Sequence, residues 1–402
     1  MPRATAPLLK DLNQRTVLEA IRAGAPISRA EISRRAGVSK PTVSLALQAL
    51  LAAGLVREAV HEPGGPSYGA VFFEPVPEAA LVLGVDVGAR FLRCALCDLH
   101  GDVRARQDVE MPGVAAGEVL EVVERMRDTL LEASGLPAER LDGAVVGVPG
   151  VVGAPSGRVE LADNVPGLAG MEFGPALEAR LGLPVRLEND INLAALGEQW
   201  RGVARSVEDF GFLSVGTGLG AGLVLAGRLH RGRNGAAGEV DFVAAGLARE
   251  IDPCAAAVSA FAASLAAGRE TAMAPPFDVR AVFAAARSGD AVARAVVAEE
   301  ARRIALHIVP LAAVADVELV VLGGGLSANG DLLLAPVRAL LSDWLPYPPR
   351  VEVSSLGEAA VLTGALSVGV YEALDNVFVN RAGAGAGRGG AAAAAAAGGS
   401  SD

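Results

Sequence analysis

The spacing of hydrophobic residues predicts three helices near the start of the chain. Over residues 8–23 they recur with the period of an amphipathic helix, at Leu9, Leu12, Val17, Leu18 and Ile21. A Ser-x-x-Glu capping box at residues 28–31 opens a second helix that ends at Ala36. Ser39 can cap a third helix that continues to about Ala53.

Two strand-like segments, residues 55–60 and 70–73, follow on either side of a Pro-Gly-Gly-Pro turn. Three helices and a hairpin in this order are typical of a winged helix-turn-helix domain. We therefore expect residues 1–75 to form such a domain and residues 76–80 to be a linker.

Short apolar strands alternate with helices over the rest of the chain, which predicts a mixed α/β fold with covered sheets. Strands are predicted at 81–87, 91–99, 143–148, 185–188, 210–215, 222–225 and 319–322. The main helices are predicted at 117–133, 190–200, 289–314 and 358–373. Ala, Gly and Ser dominate residues 379–402, a composition that indicates a disordered tail.

The charge is distributed unevenly. The formal net charge of the 402 residues is −11, which taken alone argues against nucleic-acid binding. Residues 1–72, however, hold nine basic and five acidic side chains and so carry +4, while the remainder carries −15. This asymmetry indicates a DNA-facing N-terminal domain on an acidic body. Cys94 and Cys97 fall on opposite faces of a predicted strand, which favours buried thiols over a redox pair.

The third helix carries the first candidate site. Four of its apolar residues, Val43, Ala46, Leu47 and Leu50, share one face. This leaves polar side chains suited to phosphates and base edges at Ser39, Lys40, Thr42, Ser44 and Gln48. The alternative is an ordinary three-helix bundle with a polar surface. Leu45, where a basic residue would be natural, and a wing tip without a cation at 64–67 weaken the DNA-binding interpretation.

Two glycine runs and one polar cluster follow strands of the α/β part. The runs at 216–222 and 323–325 could bring backbone N–H groups close to an anion, or could simply be tight turns. Glu188-Asn189-Asp190 lies where a strand gives way to a helix. These side chains could grip sugar hydroxyls, and a carboxylate there could take a proton; the alternative is a helix N-cap.

Taken together, these segments resemble the ROK family of repressors, open reading frames and kinases. The resemblance is carried by residues 188–190, 213–222, 227–229, 235–239 and 323–325, in that order. It covers residues 8 to about 378, including the winged helix that the family's regulators have and its kinases lack.

The resemblance implies an actin-like, two-lobed sugar-kinase fold with a cleft between the lobes. It implies a sugar pocket formed by Asn164, Asn189, Asp190 and Glu239, in which Asp190 would be the catalytic base if the protein were a kinase. It also implies phosphate loops, vestigial in a regulator, that contain Asp86, Gly88, Gly216, Thr217, Gly218, Gly220, Gly323 and Gly324.

The chain departs from the family pattern at three places. The first phosphate loop has Ala89 and Arg90 where the kinases have Gly and a small hydroxyl residue, so Arg90 is expected to block the nucleotide or to take the anion's place. Phe242 replaces the His that contacts sugar and zinc. The zinc-binding Cys cluster is absent, with only Cys254 nearby.

We therefore expect a sugar-responsive transcriptional regulator, a repressor of carbohydrate genes. Its effector domain would span 81–378, with one lobe formed by 81–197 plus 356–378 and the other by 198–355. The alternatives are an active ATP-dependent sugar kinase with an appended DNA-binding domain and, less favoured, a scaffold without a ligand.

The expected partners are double-stranded operator DNA, a small carbohydrate and further copies of the chain in a homodimer or tetramer. Xylose, N-acetylglucosamine, glucose and short oligosaccharides are all open as effectors. The sequence has no evident signal peptide and no apolar stretch long enough to span a bilayer, which favours the cytoplasm. No cofactor is expected.

The departures at Phe242 and around Cys254 predict a protein without structural zinc, since one thiol is too few for a three- or four-ligand site. Elemental analysis of the purified protein should find no stoichiometric zinc, and a chelator should leave its thermal unfolding midpoint unchanged. One tightly bound equivalent of zinc would contradict this prediction.

Overall fold

A computed structural model of the protein confirms the mixed α/β fold with an N-terminal winged helix-turn-helix. It describes residues 6–59, 71–111, 113–153, 157–162, 165–242 and 251–377. The tip of the wing, the tail at 379–402 and Asn164 therefore lie outside the described residues.

The N-terminal unit contains the predicted helices and hairpin. Ser28 caps the second helix by accepting a hydrogen bond from the Glu31 N–H at 3.3 Å, and Ser39 caps the third by accepting one from the Thr42 N–H at 3.3 Å. The helices are α1 (Ala6–Arg22), α2 (Arg29–Ala36) and α3 (Lys40–Ala52). A three-stranded antiparallel sheet of order β1-β3-β2 comprises β1 (Ile27–Ser28), β2 (Val56–Glu58) and β3 (Phe72–Pro75).

This unit has a core that its hydrophobic pattern specifies. Ile21 and Ile32 are fully buried against the inward face of α3, which consists of Val43, Ala46, Leu47 and Leu50. The prediction fails at Leu12, which the helical period places on the buried face of α1 but which is 58% exposed.

The first lobe is built on a five-stranded sheet of order β10-β7-β4-β5-β6. Strands β4, β7 and β10 are parallel, while β5 and β6 continue as an antiparallel meander. Its strands and the small β8–β9 hairpin are β4 (Leu81–Val87), β5 (Phe91–Asp98), β6 (Val103–Glu110), β7 (Leu141–Val148), β8 (Val151–Val152), β9 (Val159–Glu160) and β10 (Val185–Asn189). Helices α4 (Ala116–Ser134) and α5 (Phe173–Leu181) contribute to the core of this lobe.

The second lobe repeats the arrangement of the first. Its sheet has the order β13-β12-β11-β14-β15, again three meandering strands extended by two parallel ones. The strands are β11 (Phe210–Val215), β12 (Leu219–Leu225), β13 (Arg228–Leu229), β14 (Leu319–Gly323) and β15 (Arg350–Val353). Four of its helices are α7 (Ala255–Ala266), α8 (Val279–Arg287), α9 (Ala291–Ala315) and α10 (Gly330–Trp344).

Two helices pack between the sheets, α6 (Asp190–Arg201) and α11 (Ala360–Val377). They approach each other very closely at two glycines. A Cβ on Gly364 would lie 1.8 Å from the Leu193 carbonyl oxygen, and one on Gly197 would lie 2.3 Å from that of Ala360. Only glycine fits at such contacts.

The winged helix unit and the first lobe share one hydrophobic core. Its buried residues include Ile21 of α1, Cys97 of β5 and Leu366 of α11. Arg22 donates a hydrogen bond to the Leu99 carbonyl at 2.8 Å, and Arg15 forms an ion pair with Asp375 near the end of α11. The winged helix unit is thus seated on the first lobe.

Three smaller expectations can be compared with the structure. The strand predicted to begin at Gly222 begins at Leu219, so the end of the glycine run lies inside β12. Cys94 and Cys97 are both buried and belong to different hydrophobic clusters, as opposite strand faces require. No helix in the described ranges is long and apolar enough to cross a membrane.

Candidate effector cleft and DNA-reading helix

A cleft of about 570 Å³ lies between the two lobes, and most of the predicted site residues line it. It contains both carboxylates predicted for the sugar, Asp190 and Glu239, together with Asn189. The glycine turns after β11 and β14 form part of its wall. The structure therefore brings together residues that are far apart in the sequence.

The first turn of α6 forms one wall of the cleft. Asn189 is the N-cap of this helix, because its side-chain oxygen accepts the Asn192 N–H at 2.9 Å. Its amide nitrogen donates to the Gly150 carbonyl at 2.8 Å. Asn189 thus has the structural role that was the alternative to sugar binding, while it also faces the cleft.

Asp190, the next residue, carries a perturbed carboxyl group. Burial raises its pKa to about 7, and the negative charge of Asp86 adds to the effect. A hydrogen bond from the Ile191 N–H at 2.9 Å acts in the opposite direction. A carboxylate that titrates near neutrality can accept a hydroxyl hydrogen bond or take a hydroxyl proton.

Glu239 reaches the cleft from the second lobe after a tight turn. Gly238, with φ of +96°, is needed in this turn, because a Cβ there would lie 1.9 Å from the Ala221 carbonyl oxygen. Burial raises the pKa of Glu239, and the charge of Asp241 contributes. Glu239 and Asp190 thus line the same cleft from different lobes.

Two arginines near the expected first phosphate loop differ in their position relative to the cleft. Arg90 is not among the residues that line the cleft, and it donates a hydrogen bond to Glu110 at 2.7 Å. The expectation that it blocks a nucleotide stays a prediction. Arg93 instead lines the cleft and donates to Asp86 at 3.1 Å. Burial outweighs this arginine and raises the pKa of Asp86 to about 6.

The glycines have two different roles. The β11–β12 turn, Gly216-Thr217-Gly218, opens onto the cleft together with Gly88 and Gly324. Gly220 lies within β12, where a Cβ would be 2.4 Å from the Ile191 side chain, although it still borders the cleft. Gly323 lies within β14 against Phe212, so its small size serves packing.

The sequence analysis did not identify three charged residues that line or border the cleft, namely Arg93, Arg231 and Glu358. Arg93 also pairs with Glu358 in the segment before α11. Arg231 of the second lobe donates to the buried Glu188 of the first at 2.7 Å. The pairing of β4 with β5 sets Asp86 directly opposite Arg93, so aligning this hairpin would have revealed that contact.

The described residues near the family's zinc position do not fit a metal site. No group of three or more His, Cys, Asp and Glu side chains within the described ranges could hold a metal ion. Phe242 is 62% exposed, and Cys254 is the N-cap residue of α7. Residues 243–250 lie outside the described part.

The polar residues predicted on α3 differ in their exposure to solvent. Lys40 and Gln48 are exposed, whereas Thr42 and Ser44 are half-buried. The Ser44 hydroxyl donates to the Lys40 carbonyl at 3.1 Å, and the Ser39 and Thr42 hydroxyls lie 2.8 Å apart. The hydroxyls thus bond locally, and the freely presented polar groups are those of Lys40 and Gln48.

Comparison with known proteins finds both regulators and kinases among the relatives. A xylose repressor from Caldicellulosiruptor bescii is 28% identical over 392 residues, which is 91% of this chain and 97% of the repressor. A glucokinase from Thermotoga maritima is 28% identical over 314 residues, which is 71% of this chain and 96% of the glucokinase.

Solved structures share the fold. A ROK family transcriptional regulator, a homolog of the E. coli MLC protein, aligns with a TM-score of 0.76 at 23% identity over 93% of this chain and 99% of its own. The ROK hexokinase from Thermus thermophilus aligns with a TM-score of 0.61 at 28% identity over 73% of this chain and 99% of its own.

Family profiles divide the chain as its structure does. The profile of the MarR family matches residues 10–65, the winged helix unit. The profile of the ROK family matches residues 82–370, well over half of the chain and nearly all of both lobes. The chain therefore belongs to the ROK family, as the motifs of its sequence indicate.

Proposed function

We propose that the protein is a sugar-responsive DNA-binding transcriptional regulator that represses carbohydrate genes. The observation that carries the proposal is the position of α11. This helix begins at the cleft with Ala360 and Val361, and its other end packs in the same hydrophobic core as the winged helix unit. The similarity to a xylose repressor over 91% of the chain supports the same conclusion.

The effector in this proposal is a small carbohydrate bound between Asp190 and Glu239. Carboxylates are strong acceptors for sugar hydroxyls, and charge-assisted hydrogen bonds are stronger than neutral ones. Asn189 would contribute at the edge of the cleft, although its amide is already engaged by Gly150. Asn164, which the family resemblance adds to the pocket, lies outside the described residues.

A sugar that contacts both lobes provides the switch. It binds more tightly to a cleft whose walls are close together, and such a differential affinity is what shifts a population of conformations. The Arg231–Glu188 ion pair already links the lobes beside this site. Moving the lobes would move α6 and α11, and with them the seat of the winged helix. A coupling of about 1–3 kcal/mol between the two sites is usual.

A sugar kinase is the second candidate, and Asp190 is the observation that favours it. Its pKa of about 7 suits a general base that takes a proton from a sugar hydroxyl. Against it stands Arg93, whose guanidinium group pairs with Asp86 and Glu358 at the first phosphate loop. A scaffold without ligand is disfavoured, because the cleft retains a cluster of polar groups.

We infer further that the protein acts in the cytoplasm as a homodimer or tetramer. Two winged helices related by a two-fold axis would read the two halves of a symmetric operator. Because the spacing of half-sites follows the DNA helical repeat, a shift of a few ångströms between the heads would weaken both contacts together.

The DNA-binding role predicts unequal effects of two substitutions on α3. Lys40→Ala should weaken operator binding and reduce the slope of log K against log salt by about 0.9 for each phosphate that the lysine neutralises. Gln48→Ala should change the preferred sequence more than the affinity, because an amide side chain reads base edges. Fluorescence anisotropy with labelled duplexes at several salt concentrations measures both effects.

Arg269→Ala is the matched control, since it removes an exposed positive charge from the second lobe. It should leave the salt slope unchanged. Equal losses of operator affinity for Lys40→Ala and Arg269→Ala would contradict the assignment of α3.

The sugar site predicts that Asp190→Asn weakens effector binding about tenfold or more, since hydrogen bonds to charged groups contribute about 1.5–3 kcal/mol. Operator affinity without sugar should change little. Because the pKa of Asp190 lies near 7, wild-type sugar affinity should rise between pH 6 and pH 8, and that of the variant should rise less, since only Glu239 and Asp86 then titrate in the cleft. Calorimetric titration with sugars chosen by a thermal-shift screen measures both.

Asp343→Asn, an exposed change in the second lobe, should behave as wild type. Complete loss of DNA binding by Asp190→Asn would make Asp190 a structural residue, and a normal sugar response would place the effector elsewhere.

The Arg93–Asp86 pair predicts no ADP release from ATP with the same sugars. Sugar-dependent ADP release would instead support the kinase.

A further inference from the structure

Leu45 stands apart from the other apolar residues of α3. Val43, Ala46, Leu47 and Leu50 are between 0% and 3% exposed, whereas Leu45 is 70% exposed. It lies in the middle of the face that the proposed function turns toward DNA. In the isolated protein this side chain stays in water, so it contributes no free energy of apolar burial to the fold.

The neighbours of Leu45 define what could cover it. Gln48, three residues further on, lies on the same side of the helix and is also exposed. The exposed Lys40 marks the N-terminal end of the helix, which favours a nearby phosphate. The other positions three and four residues away hold Pro41, Thr42 and Ala49, so the surface around Leu45 is mixed and uncharged. Helix α3 carries no acidic side chain and begins with Lys40, which suits a phosphate-lined groove of DNA better than an extended apolar interface.

The hydroxyl side chains of α3 strengthen this conclusion. The Ser44 hydroxyl donates a hydrogen bond to the Lys40 carbonyl, and the Thr42 hydroxyl is hydrogen-bonded to that of the capping Ser39. With these hydroxyls drawn back toward the helix, Leu45 and Gln48 are the exposed side chains in the middle of α3. The side chains that this face offers to a ligand are therefore one apolar group, Leu45, and one amide, Gln48.

We infer that Leu45 is a specificity-determining residue that packs against the 5-methyl group of a thymine in the major groove. This inference rests on the proposed DNA-binding function and deepens it. The thymine methyl is the one apolar feature among the base edges of the major groove, and an amide side chain such as Gln48 can pair with adenine. The operator half-site should therefore contain a thymine close to the base that Gln48 reads.

The test begins with selection of a binding sequence by the full-length protein from a random duplex library. Each thymine of the enriched sequence is then replaced in turn by deoxyuridine, which removes only the methyl group. At one position in each half-site, wild-type affinity should fall about fourfold, equivalent to about 0.8 kcal/mol for one buried methyl. Fluorescence anisotropy measures the affinity.

Leu45→Ala should bind the selected sequence about fourfold more weakly and should no longer respond to deoxyuridine at that position. Since Leu45 is exposed, this substitution should leave the thermal unfolding midpoint nearly unchanged. Leu12→Ala, the matched control at an exposed leucine of α1, should keep the wild-type pattern. Gln48→Ala should keep the response to the thymine methyl while changing the neighbouring base.

The inference is overturned if no thymine methyl affects the wild type, or if Leu45→Ala responds to its removal as strongly as the wild type does. It is also overturned if Leu45→Ala binds DNA normally but changes the oligomeric mass, since Leu45 would then cover a second copy of the chain. A library without any enriched sequence would instead overturn the proposed DNA-binding function, and this contact with it.

Discussion

The close packing of α6 against α11 is the contact on which the rest of the molecule depends. At Gly197 and Gly364 each helix backbone touches the other, with no room for a side chain between them. Glu198 reinforces the contact, because its buried carboxylate accepts hydrogen bonds from Ser354 and from the Leu356 N–H in the segment that leads into α11. Two helices joined so tightly are expected to move as one body.

This pair connects the two candidate sites. At one end, Asp190 of α6 and Ala360 of α11 line the cleft. At the other end, Trp200 of α6 and Leu374 of α11 pack with the core of the winged helix unit. A ligand that moves the lobes relative to each other therefore acts on the DNA-binding unit through helices it already contacts, and no separate relay is required.

Features set by residues close together in the sequence could be predicted. Contacts between segments that are far apart in the sequence could not. The caps at Ser28 and Ser39, and with them the starts of α2 and α3, could be predicted because capping is local. The ion pair of Arg93 with Asp86 could not be predicted from the chain, because it depends on the register between two strands. The contact of Gly197 with α11 joins segments more than 160 residues apart, and each glycine alone carried no signal.

Hydrogen–deuterium exchange of the full-length protein, with and without a sugar found by thermal-shift screening, tests the central claim most directly. Exchange reports local opening of hydrogen-bonded segments. If α6 and α11 carry the signal, sugar should change exchange in both helices and in α1, while α4 on the far side of the first sheet should stay unchanged. A change confined to the cleft residues, with α11 and α1 unaffected, would contradict the account.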